Sequence, residues 1–532
     1  MQTIEEKIIL DCYKKQPKDA EALNSIKRRI LRTEKPGYIP TSTQLLKAYH
    51  KLVKQNKIKI SPQLEKNLLR RAVRTLSGVT IVTALTKPFP CPGQCVYCPT
   101  EARMPKSYLS DEPAAARALS LQFDPYEQVA RRLDSLEKNG HPTDKIELIV
   151  KGGTWNAYPI KYQYWFIARC FEACNHTKKT IVSEKMSLEE LRKKMIKIQA
   201  KNELAKHRII GLTLETRPDF INEKNITDMR NLGCTRVEMG IQHTDENILK
   251  LTKRGHGVNE SVQASKLLRK YGFKLDYHLM PQLPGSTPKK DLNMLRKIFS
   301  DSRFRPDMIK IYPCTVVENS ELYSWLAEKK FKPYSDKQLL KILKEFKSDV
   351  PYYVRISRLI RDIPSNHIKA GNMMTNLRQV IQAEMIAEGK KCSCLRCREI
   401  GHQKPIDWSK EKIKFFIDIY ESSDGTEYFL SFENTKRSAV LGFCRLRIDK
   451  NGIYPAFIRE LHIYGQSLEI AQKEKGASQH TGLGKKLMQA AIKICKQNKI
   501  PRLAVISGVG VRDYYRKLGA KLENTYMVFD IK

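Results

Sequence analysis

The chain has 532 residues, 29% charged and 41% hydrophobic, which excludes both a disordered chain and a single small core and predicts two or three domains. Lysine and arginine number 96 against 57 acids, a formal net charge of +39, so nucleic acid is the expected partner ahead of a merely basic surface. There is no run of about 18 apolar residues and no signal-peptide core at the start, so no membrane association is expected and a cytoplasmic location is.

Residues 1–75 carry helical patterns broken by "RTEKPGYIPTSTQ". Residues 1–80 hold 18 basic and 7 acidic side chains, and "SIKRRILR" and "KNLLRRAVRTL" set that charge beside apolar turns. A small basic helical module is predicted. One-signed charge favours phosphate-backbone binding over a solvated face.

Over 76–370 the grammar changes. Six β-branched runs, "VTIVTALT", "KIELIVKGG", "HRIIGLTLET", "CTRVEMGIQ", "FKLDYHLMPQLPG" and "DMIKIYPC", alternate with helical stretches. Repeated strand–helix units predict an α/β fold, a parallel barrel or partial barrel, with its site in the loops after the strands. The unusual residues fall at those ends: the 91–98 loop, Gly152 and Gly153, Glu215, Gln242, "MPQLPG" and Cys314.

"KPFPCPGQCVYCPTEARMP", residues 87–105, sets Cys91, Cys95 and Cys98 at C-x3-C-x2-C. A zinc knuckle would need a fourth ligand, and none follows for dozens of residues. A four-iron cubane held by three cysteines leaves one iron open. That iron can chelate the amino and carboxylate groups of S-adenosylmethionine, and one electron then yields a 5′-deoxyadenosyl radical. The loop resembles that of the radical S-adenosylmethionine superfamily. Tyr97 is placed to contact the adenine, Gly152 and Gly153 to let the backbone approach the methionine part, and Glu215 and Gln242 to hydrogen-bond the cofactor.

Residues 371–400 read as a linker, and "KKCSCLRCREIG" within it holds Cys392, Cys394 and Cys397. A structural zinc is the first reading, ahead of a second iron–sulfur cluster or free thiols, with Cys314 or His402 as candidate fourth ligand. The remaining cysteines sit in apolar contexts as ordinary buried thiols. An odd total of 13 argues against a disulfide framework.

Over 401–532, strand-like runs from "KFFIDIYES" to "YPAFIRELHIYG" precede "QHTGLGKKLMQAAIKICKQN", "RLAVIS" and "GVRDYYRKLG", predicting an α+β domain. Gln479, Gly482 and Gly484 give Q-x-x-G-x-G at a helix start, where exposed amides bind phosphate. The strand–loop–helix–strand order resembles the acyl-CoA site of GCN5-related (GNAT) acetyltransferases. Lys485 is placed to meet a phosphate. Tyr515 is either a proton donor to a leaving thiolate or a core aromatic.

With "GGTWNAYP", "LETRPD", "TRVEMGIQH", "KRGHG", "RELHIYG", "QHTGLG" and "ISGVGVRDYYRKLG", nearly the whole chain resembles the Elongator catalytic-subunit family in its archaeal form. The resemblance implies a tRNA-modifying enzyme that takes two carbons from acetyl-CoA and forms a carboxymethyl group on C5 of the wobble uridine, position 34. It implies a [4Fe-4S] cluster on Cys91, Cys95 and Cys98, and acetyl-CoA contacts at Lys145, Glu460, Leu461, His462, Ile463, Leu483 to Lys485 and Tyr515. It also implies an electron donor, binding to the anticodon stem-loop, and activity alone or as a homodimer. A protein lysine acetyltransferase using the barrel as scaffold is the main competing reading, and the cysteine loop argues against it. A catalytically dead tRNA-binding scaffold is disfavoured by the intact motifs.

Overall fold

The computed structural model describes residues 2–68, 77–176, 182–402, 411–464 and 482–531. The first part is four helices, Ile4–Lys15, Ala20–Glu34, Ser42–Lys54 and Pro62–Leu68. Thr3 and Thr41 close capping boxes and Asp19 caps the second helix, satisfying amides that a helix start leaves without partners. The apolar stripes meet at Ile8, Ile9, Leu45, Tyr49 and Leu52, all buried, while Lys18, Arg28, Arg29 and Lys47 are exposed.

The six strand runs of the central region form β1 (Thr80–Leu85), β2 (Lys145–Lys151), β3 (Arg208–Thr216), β4 (Arg236–Gln242), β5 (Lys274–Leu279) and β6 (Met308–Ile311). After them, β7 (Val316–Val317) pairs with β9 (Ile368–Ala370) in a short antiparallel ladder, and β8 (Arg355–Arg358) joins the main sheet. The order is β1-β2-β3-β4-β5-β6-β8 with every pairing parallel. β1 and β8 are both edges, so the barrel is a partial one, open between them.

The C-terminal sheet is β10 (Ile413–Ser422), β11 (Gly425–Asn434), β12 (Val440–Ile448), β13 (Ala456–Ile463), β14 (Arg502–Val505), β15 (Lys521–Glu523) and β16 (Tyr526–Asp530). β10 to β13 run antiparallel, β13 and β14 pair parallel, and β16 lies between β14 and β15. One face packs under the helix Leu483–Gln497 around Leu487, Ala491 and Met527. The other shares its core with the barrel through Phe443, Phe457, Tyr464 and Val509.

Buried charge joins the two sheets. Arg459 grips Asp307 with two 2.7 Å bonds and reaches Glu427 at 2.6 Å, and Arg269 bonds Glu427 at 2.9 Å. Removing one member would leave an unpaired buried charge, at about 3–5 kcal/mol. A Cβ on Gly508 would lie 1.9 Å from the Ile210 carbonyl oxygen, so only glycine lets this loop rest on β3. The active-site geometry between the sheets therefore rests on packed contacts. No helix among the described residues is long and apolar enough to cross a membrane.

Candidate active site

Most parallel barrels fill their interior with branched apolar side chains. This one places titratable groups there. Glu238 lies opposite Glu215 on one side and Asp276 on the other, and His278 lies opposite Lys310 one layer up. Lys151 sits 3.1 Å from Glu215 and also bonds Glu238, as does Lys310. His278 stands 3.0 Å from Glu238 and 3.4 Å from Glu215, and the Tyr108 hydroxyl donates to Glu215 at 3.2 Å. Burial alone would raise the Glu238 carboxyl, but Lys151 and Lys310 outweigh it and hold it well below the carboxylate range. Burial also pulls Lys310 down to about 8, despite Glu238 beside it. Burial raises Asp276, with Lys310 opposing and Glu238 adding to it.

The cysteine loop lies across the top of this interior. Val96 donates its amide to the Thr252 carbonyl at 3.2 Å and accepts from the Leu322 amide at 2.8 Å, which pins the loop on both sides. Arg254 donates to Cys95 Sγ at 3.4 Å and to the Gly240 carbonyl at 2.6 Å, tying the thiol to β4. A hydrogen bond from Cys98 and the Arg254 guanidinium pull the Cys95 thiol down to about 4 against its burial, and the same pairing pushes Cys98 up. The three thiols do not converge on one ion-sized point, as the 392–397 set does. Three thiols on one loop, facing a cavity and backed by a guanidinium, fit an iron–sulfur cluster with one open iron.

A cavity of about 400 Å³ runs from this loop through the interior to the second sheet. Cys91, Cys95, Cys98, Tyr97, Gly153, Glu215 and Gln242 line one end, and Phe443, Arg445, Glu460, His462 and Tyr464 line the other. Gly152 turns the chain at φ +128°, where a Cβ would lie 1.8 Å from Thr86 Oγ1. Gly152 packs tightly there, and Gly153 borders the space. Gln242 ends β4 in the left-handed region, and its Oε1 is buried without a hydrogen-bond partner among the described residues.

On the far side the strand alternation sorts the predicted acetyl-CoA residues. Glu460 and His462 face the cavity, while Leu461 and Ile463 pack toward the helix-covered core. Lys274 at 3.3 Å and Arg445 at 2.9 Å overcome burial and bring Glu460 down to about 2. His462 hydrogen-bonds the Ser77 carbonyl at 3.1 Å, and burial lowers it. Lys145 opens β2 opposite Arg208, the residue against which Gly510 packs, and is not among the cavity-lining residues. Gly482 caps the helix that starts at Leu483, and Lys485 is exposed on its first turn. Gln479 lies outside the described residues.

Two of the predicted site residues lie in apolar clusters. Tyr515, 6% exposed, is packed among Leu487, Met488 and Met527, and its phenol is pushed up by burial. Its neighbour Tyr514, 39% exposed, is the ring at the helix start, with its hydroxyl 3.1 Å from where a Cβ on Gly484 would sit. Cys314 packs with Cys95, Val96 and Leu283 beneath the cysteine loop and has no place in the 392–397 group. There, Cys392, Cys394 and Cys397 offer sulfurs all within 4.8 Å of one another. Tetrahedral bonds of about 2.3 Å put zinc-bound thiolates about 3.8 Å apart, so this set fits one ion. Lys347 Nζ stands 3.8 Å from Cys397 Sγ. Backbone bonds tie the segment to both domains: Leu395 donates to the Val354 carbonyl at 2.8 Å, and Glu399 bridges to Val440. His402 ends a short turn whose backbone alone is described.

Several cavity residues have no sequence signal of their own. Lys151, Glu238, His278 and Lys310 look like ordinary strand alternation, and Arg254 is visible only as part of "KRGHG".

Comparison with known proteins agrees with both halves. Residues 90–298 match the radical SAM superfamily, 306–387 the radical SAM C-terminal domain, and 396–520 the acetyltransferase (GNAT) family. The chain is 41% identical to the tRNA uridine(34) acetyltransferase of Methanocaldococcus infernus, covering 99% of this chain and 98% of that protein. It is 33% identical to human Elongator complex protein 3 over 89% of this chain and 88% of that one. The structure of archaeal Methanocaldococcus infernus Elp3 with an N-terminal deletion (1–46) superposes with a TM-score of 0.73 at 39% identity, covering 86% of this chain and 100% of that one.

Proposed function

Since the chain belongs to the family of tRNA uridine(34) acetyltransferase and Elongator complex protein 3, we propose that it joins the two carbons of acetyl-CoA to C5 of uridine 34 in tRNA, leaving a carboxymethyl group. One observation carries this reading. A single cavity is lined by the three cysteines at one end and by Glu460 and His462 of the acetyltransferase sheet at the other. Carbon–carbon bond formation between an acetyl group and a base needs that shared space. Acyl transfer to a lysine does not.

In this reading Cys91, Cys95 and Cys98 hold a [4Fe-4S] cluster, and Gly153, Glu215 and Gln242 border S-adenosylmethionine. Together with an electron donor, these groups supply the one-electron chemistry that takes a hydrogen atom from an unactivated carbon. The reaction balances: two C–H bonds become one C–C bond, matched by reductive cleavage of S-adenosylmethionine to methionine and 5′-deoxyadenosine, and water splits the thioester to free the CoA thiol.

The chain's own residues prepare the space. Arg254 fixes the Cys95 thiolate over the barrel mouth. Lys151 and Lys310 keep Glu238 ionised, so the interior meets substrate with its internal charges already paired. Gln242 Oε1 offers an acceptor to a bound ammonium or amide. Gly482 to Lys485, with Gln479, receive the CoA pyrophosphate, Tyr515 belongs to the same acetyl-CoA site with Tyr514 beside it at the helix start, and Lys145 borders the domain junction. Cys392, Cys394 and Cys397 clasp the domains through zinc. The basic helices before residue 76 hold the anticodon stem by its phosphates while the uridine leaves its stack.

The test incubates tRNA, S-adenosylmethionine, reductant and acetyl-CoA labelled at both acetyl carbons with the protein under anaerobic conditions. Nucleoside mass spectrometry is expected to find both labelled carbons in a modified uridine at position 34. Label found only on protein lysines would overturn the reading.

A further inference from the structure

Four arginines line the cavity wall near the open side of the partial barrel: Arg355, Arg358, Arg361 and Arg396. Three are committed. Arg355 donates to Tyr464 and Glu399, both at 2.9 Å. Arg358 pairs with Asp362 at 2.6 Å, and Arg361 bonds Ser107 at 2.7 Å and Glu112 at 3.0 Å. Arg396 has no hydrogen-bond or ion-pair partner among the described residues.

Arg396 is partly buried at the cavity wall. The nearby acid, Glu399, is already held by Arg355. The cysteine set on the same segment is faced by Lys347 and Arg378. The turn that carries Arg396 is rigid: Leu395 is fixed to Val354, and Arg398 bonds the Ser393 carbonyl at 2.7 Å and the Tyr352 carbonyl at 2.6 Å. A guanidinium without a partner, on a fixed turn at the wall of a cavity, can offer its fork to an anion. The planar fork matches phosphate better than a point charge would.

We propose that Arg396 is a phosphate-binding subsite, its fork engaging a phosphate ester of the substrate that enters the cavity. This rests on the reading above, in which both substrates, RNA and acetyl-CoA, carry such groups. The pyrophosphate loop at Gly482 to Lys485 is separate from this turn in sequence and in element, so Arg396 adds a contact that loop does not supply.

The test compares wild type with Arg396→Gln and Arg396→Lys, with zinc content and melting temperature measured on each. Binding constants are taken for tRNA at several salt concentrations, for acetyl-CoA, and for 3′-dephospho-acetyl-CoA. If the phosphate is an RNA diester, Arg396→Gln weakens tRNA about tenfold, lowers the salt slope by about 0.7 for one single-strand contact, and leaves acetyl-CoA unchanged. If it is the CoA 3′-phosphate, the variant weakens acetyl-CoA about tenfold and has no further effect on the dephospho form. In either case Arg396→Lys recovers part of the loss. Unchanged constants and slope in a folded, zinc-loaded Arg396→Gln protein overturn the proposal. A measurement on unmutated protein covers a variant that fails to fold. Phenylglyoxal should modify Arg396, tRNA or acetyl-CoA should protect it in peptide mass maps, and modification unaffected by both would also overturn it. A wild type that binds both substrates but makes no carboxymethyl product defeats the function above and leaves this subsite standing.

Discussion

The loop at 91–98 and the segment at 392–397 each offer three thiols, and the fold handles them in opposite ways. In the first, C-x3-C-x2-C spreads the sulfurs along a loop that borders a cavity of about 400 Å³. In the second, C-x-C-x2-C brings them all within 4.8 Å beside a helical turn wedged between domains. The basic partners differ as well. Arg254 bonds both a thiol and a strand carbonyl, so it orients the loop, whereas Lys347 stands off at 3.8 Å and balances charge. Spread thiols facing open space suit a multi-iron cluster that must present one iron to a ligand. Converging thiols suit a single ion whose work is to hold the chain. Counting cysteines would not separate the two sites, while separation and surroundings do.

The largest effect expected from this contrast is at Cys95. Cys95→Ala should abolish cluster absorbance and carboxymethyl product while leaving zinc content unchanged and the melting temperature within a few degrees of wild type. Product persisting in a cluster-free protein would erase the distinction. Cys394→Ser should do the reverse. It should release the zinc and destabilise the chain by several kcal/mol, since metal binding at a closed site is folding free energy. Turnover per folded, cluster-loaded molecule should survive below the new melting temperature. A zinc-free variant with unchanged melting would remove the clasp from the account.

Much of the architecture was legible in the sequence because β-branched runs separated by helical periods dictate parallel strands. β8 was not legible. Its four residues, Arg355 to Arg358, include two arginines and no apolar run, and the strand exists because one face closes the cavity and pairs with β6. β15 and β16 were missed because three and five residues are too few to show a period. Among the site residues, the loop cysteines announce themselves by spacing, but Glu238 and Lys310 do not. A single charge in a strand reads as a solvent-facing position until the curling of the sheet turns that face inward. Which of Tyr514 and Tyr515 is exposed depends on the rotation of a six-residue helix, which no pattern that short fixes. Cys314 was drawn toward the second cysteine set by residue type alone. Its partners are set by where β6 ends, beneath the first cysteine loop.

The smallest effect tests the basic partner of the converging thiols. Lys347 is 1% exposed, and the thiols of Cys392 and Cys397 raise its pKa against the pull of burial. A zinc ion held by three thiolates keeps a net negative charge, which this ammonium offsets from just outside the ligand set. Lys347→Met preserves most of the side chain's length and packing while deleting that charge. Zinc affinity should then fall about tenfold in a chelator competition, within the range that outer partners of metal sites contribute. The melting temperature in excess zinc should stay close to wild type, because saturating metal restores the clasp. Affinity that does not change would mean that the converging geometry alone holds the metal. The contrast with Arg254, whose hydrogen bond orients its thiol, would then extend to the need for any cation at all.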